Sequence, residues 1–67
     1  MLKAPRYMRE YASHIIKSAK QRKIDLGHVN DEVWNETIVM ADRIVRNYIR
    51  GLITESEAMI ELARLPY

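Results

Sequence analysis

Residues 31–50 read DEVWNETIVMADRIVRNYIR, and this stretch decides the fold. Val33, Trp34, Thr37, Ile38, Ala41, Ile44, Val45, Tyr48 and Ile49 recur at three- and four-residue steps. On a helix of 3.6 residues per turn they fill an apolar arc of about 160°, wide enough to face two neighbours. Asn30 or Asp31 is the expected cap, and Asp31 and Glu32 suit the positive end of the helix dipole. Arg43, Arg46 and Arg50 gather at the opposite end, where cations are favoured, and Asp42 precedes Arg46 by four positions in the favourable order.

A helix that touches two neighbours needs two more helices, and the flanking sequence supplies them. Downstream, Gly51 is a stop. Thr54-Glu55-Ser56-Glu57 is a capping box, in which the Thr54 hydroxyl accepts from the Glu57 N–H and the Glu57 carboxylate from the Thr54 N–H. A short third helix over 55–65 follows, with Ala58, Met59, Leu62 and Leu65 inward and Pro66 beyond it. The short link makes it an antiparallel neighbour. Upstream, Pro5 suits a first helical turn. Met8, Tyr11, Ala12, Ile15, Ile16 and Ala19 then fill an arc of about 140°. Arg22 and Lys23 fall inside or beside that arc, so the helix is expected to run over 5–22 and fray there. Residues 24–29, with Gly27, make the connection. The expectation is an all-α three-helix bundle over 1–67, with a long central helix over 31–50 centred on Trp34, Ile38, Ile44, Val45 and Tyr48.

The segment Gly51-Leu52-Ile53-Thr54-Glu55-Ser56-Glu57-Ala58 resembles the GLIT-x-x-E-A starts of short terminal helices in many small bacterial and phage proteins. The chain as a whole resembles the small helical proteins of phages and prophages. The resemblance covers residues 51–65 at most and carries no functional residue over.

Composition narrows the function classes. A chain of 67 residues buries only about 60% of its unfolded surface, so its stability is expected to be marginal. With no cysteine there is no disulfide and no thiolate metal ligand. No apolar run approaches the roughly 18 residues of a membrane span, and no apolar stretch follows the first basic residues as in a signal peptide. The expected location is cytoplasmic. Glu10 with His14, and His28 with Asp31 or Glu32, each offer two metal ligands, short of a site. No nucleophile triad, phosphate-cradling glycine loop or metalloprotease motif is present, so neither an enzyme nor a cofactor is expected.

Charge gives the functional lead. Residues 1–24 hold seven basic side chains and one acid, whereas residues 25–67 hold four basic and eight acidic ones. Arg6, Arg9, Lys17 and Lys20 fall within about 80° of one another opposite the apolar arc, with Ser13 among them. They form a ridge about 21 Å long, a docking face for acidic side chains or phosphates. Val39 and Ile60 stand as apolar residues on polar arcs, the pattern of a contact with another protein or another copy. The leading expectation is therefore a small regulatory or inhibitory protein-interaction module of phage origin that binds a larger protein through Arg6, Arg9, Lys17, Lys20, Val39 and Ile60. Homodimerisation is expected as well. The alternatives are a nucleic-acid-binding or transcription-linked protein using the same ridge, and a structural subunit of a larger assembly such as a virion. Against DNA reading, the third helix carries Glu55, Glu57 and Glu61, which phosphate would repel.

Overall fold

A computed structural model describes residues 2–67; Met1, at the start of the expected domain, lies outside them. Three helices follow in order: α1 over Arg6–Asp25, α2 over Asp31–Ile49 and α3 over Glu55–Ala63. They form a three-helix bundle, and among the described residues there is no strand. α1 and α2 make a long antiparallel hairpin, and α3 with the segment after it turns back along that hairpin.

The helix ends are where the sequence speaks most locally. α1 closes with the His28 N–H donating to the Lys23 carbonyl and the Gly27 N–H to the Ile24 carbonyl. α2 closes identically, Leu52 to Asn47 and Gly51 to Tyr48. This paired closure needs a left-handed residue just past the helix, and the two glycines supply it at φ 59° and 78°. α3 starts at the expected capping box: the Glu57 N–H donates to Thr54 Oγ1 at 3.1 Å and the Thr54 N–H to Glu57 Oε1 at 3.0 Å.

Several boundaries are corrected. α1 continues three residues past 22 rather than fraying, because Arg22 and Lys23 find partners outside the core. Lys23 Nζ donates to Asn35 Oδ1 of α2 at 2.7 Å, and Arg22 Nη2 to the Tyr67 carbonyl at 3.4 Å. α2 ends at Ile49, with Arg50 as its cap residue. Asn30 precedes α2 but sits at φ 62° and makes no side-chain cap bond; its carbonyl accepts from the Val33 N–H instead. α3 ends at Ala63 rather than at 65, because Pro66 disfavours a helical conformation in the residue before it.

The core is built largely from alanine. Ala4, Ala12, Ala19, Ala41 and Ala58 are buried with Met8, Ile15, Thr37, Ile44 and Leu62. Of the five residues expected at the centre, Ile44 alone is buried, while Trp34, Ile38, Val45 and Tyr48 are half-buried. The reason lies in how the wide arc of α2 is shared. Its inner line is Thr37, Ala41 and Ile44, one turn apart. Trp34, Ile38 and Val45 lie on one flank of that line, and the third helix covers the other.

Candidate functional site

The bond from Lys23 to Asn35 fixes the register of the α1–α2 hairpin. Seven residues back along α1 and seven forward along α2, Ile16 comes level with Asp42, and both line one groove. This groove has a volume of about 340 Å³ and runs between the two helices. Ala12, Ile16 and Val45 form its apolar floor. Arg9, Lys17 and Lys20 stand along the α1 rim, all exposed, with Ser13 between them. The flank of α2 that the third helix leaves uncovered thus becomes an apolar strip beside a row of cations.

Three of the four ridge residues meet here, and the fourth is engaged elsewhere. Arg6 Nε pairs with Glu10 Oε1 at 2.8 Å on the exposed face of α1. Glu10 is thereby turned to Arg6 rather than to His14, which instead stands edge-on to Tyr67. Asp42 borders the α2 side of the groove, but its Oδ2 is 2.8 Å from Arg46 Nε. Among the described residues, none of Arg9, Lys17 and Lys20 has an acidic partner within ion-pair distance. The α1 rim is therefore a run of uncompensated positive charge beside apolar surface.

The two apolar candidates lie apart. Ile60 is half exposed and lines a shallow groove with Tyr7 of α1 and Met59 of α3. Val39 is also half exposed and stands on the face of α2 opposite its buried line, among Arg43, Arg46 and Glu36. The groove that Ile60 lines does not include Val39.

His28 Nδ1 is 3.1 Å from Asp31 Oδ2 on an exposed turn. Among the described residues no three His, Cys, Asp or Glu side chains gather as metal ligands, and no helix is long and apolar enough to cross a membrane.

Three features of this surface escape a reading of the sequence. Ile16 and Val45 read there as core residues, yet they are half-buried and form the groove floor. The register that brings Asp42 level with Ile16 has its signal in Lys23 and Asn35, polar residues facing across the hairpin. Tyr67 lies beyond Pro66 with no periodicity to mark it. It returns to α1, where its hydroxyl is 2.9 Å from that of Tyr11 and its ring stands edge-on at 6.3 Å. The hydrogen bond from Tyr67 raises the Tyr11 pKa above the ordinary phenol value, and burial adds to the effect.

Compared with known protein families, curated proteins and solved structures, the chain shows no significant match.

Proposed function

We propose that this chain is a non-enzymatic interaction module that regulates or inhibits a larger protein by binding it along the outer edge of α1. One observation carries the reading: Arg9, Lys17 and Lys20 line an apolar-floored groove without acidic partners of their own, among the described residues. A protein surface can satisfy both parts at once, with carboxylates over the rim and apolar side chains over Ala12, Ile16 and Val45. Nucleic acid satisfies only the rim, and the three glutamates of α3 add repulsion to any phosphate near that helix. Ile60, with Tyr7 and Met59, offers a second apolar contact for the same partner or for another copy.

The test compares the immobilised protein with its Arg9→Glu/Lys17→Glu variant in nuclease-treated host extract. Both positions are exposed, so circular dichroism should show the same helicity for the two proteins. A protein retained by the parent and lost by the variant is expected. Equal retention by both removes the ridge from the reading. Tight binding of duplex DNA that falls steeply with salt replaces this reading with a phosphate-binding one.

A further inference from the structure

Building on the interaction reading above, the geometry points to a partner of definite chemistry: an acidic amphipathic helix laid along the α1–α2 groove. The rim and floor set what this helix must present. Arg9 and Lys20 stand eleven residue steps apart on α1, about 17 Å, which matches about three turns of a partner helix. Apolar residues at three- and four-residue spacing would press on Ile16 and Val45, the half-buried floor. Carboxylates on the flank above α1 would meet the three cations.

The two rims are not alike, and this sharpens the requirement. The α2 rim carries Asp42 with Arg46 already against it at 2.8 Å. A carboxylate placed above Asp42 gains nothing and is repelled. The partner helix should therefore be acidic along one flank and neutral or basic along the other, rather than acidic all round.

A second copy of this chain is a poorer occupant, although α3 is acidic and carries the exposed Ile60. α3 covers the opposite flank of the hairpin from the groove. Docking α3 of one copy into the groove of the next joins two different faces, a heterologous contact that builds a ring or an open head-to-tail chain rather than a two-fold pair.

The experiment uses the full chain and a synthetic end-capped peptide of about 14 residues. The peptide carries glutamates on one flank, leucines along the middle and lysines on the other flank. Its controls are an isomer of the same composition with scrambled order, and a version with both flanks acidic. The patterned peptide should shift the amide signals of residues 9–20 and 42–45 and bind about tenfold tighter than the scrambled isomer. Lys17→Glu/Lys20→Glu should abolish that preference. Asp42→Lys should tighten binding of the peptide with two acidic flanks. Equal binding of patterned and scrambled peptides, or shifts confined to other residues, overturns the helix. So does displacement of the peptide by a short DNA duplex that binds the ridge more tightly. The two readings separate cleanly. A host protein whose capture depends on Arg9 and Lys17, in the absence of peptide binding, leaves the interaction module standing and removes only the helix; loss of both removes both.

Discussion

Thr37 sits on the inner line of α2, 1% exposed, and its hydroxyl finds no hydrogen-bond partner in the protein. A buried hydroxyl without a partner loses its water and gains nothing in return, a cost of about 1–3 kcal/mol. Its neighbours along the pocket include Val33, Met40 and Leu65, so the surroundings favour an apolar side chain. Valine has nearly the same shape and a similar helix propensity, and leaves no cavity behind. Thr37→Val should therefore raise the unfolding free energy by about 1 kcal/mol, read as a higher urea midpoint at unchanged slope. A lower midpoint would mean that the hydroxyl is satisfied after all.

At the scale of elements, α3 depends on its start more than on its own length. Nine residues are too few to hold a helix in water, so the capping box and the packing of Ala58 and Leu62 must hold it together. Thr54→Ala removes the acceptor of the Glu57 N–H and should cost about 1 kcal/mol. Hydrogen exchange at Glu57, Ala58 and Met59 should accelerate more than that in α1; a uniform acceleration would show that α3 cannot open by itself. Such local devices were also what the sequence showed best. The capping box at Thr54, the glycine stop at Gly51, and the count and order of helices rest on neighbours within a few positions. The split of α2 into an inner line and an open flank was not legible, because it depends on where α1 and α3 dock. For the same reason the sequence listed Arg6, Arg9, Lys17 and Lys20 as one ridge, whereas the structure separates Arg6, held by Glu10, from three that border a groove. The role of Tyr67 was hidden for a further reason: a residue outside any helix leaves no periodic trace.

The molecule measures 39 × 18 × 17 Å, longer than a compact bundle of its mass because α3 accompanies the hairpin for only part of its length. Beyond that cover, Ile24, Leu26, Val29 and Val33 at the α1–α2 turn are exposed. Tyr67 ties the chain after α3 back to α1, through the hydroxyl pair with Tyr11 and through Arg22 Nη2, which lies 3.4 Å from the Tyr67 carbonyl. This tie links stability to alkaline pH. The hydrogen bond with Tyr67, and then burial, favour the protonated Tyr11 hydroxyl, so its folded pKa lies above the unfolded value of 10.0. A raised folded value means that the native protein keeps a proton the unfolded chain has begun to lose. The stabilisation is complete below about pH 10 and disappears as pH rises through the folded pKa. Tyr11→Phe lacks the bond at every pH. Its Tm should lie below that of the parent at about pH 8, and the two curves should converge as pH rises through the folded pKa of Tyr11. Parallel curves over this range would show that the hydroxyl pair does not hold the chain to α1 in solution, and the tie would then rest on the edge-on rings and Arg22 alone.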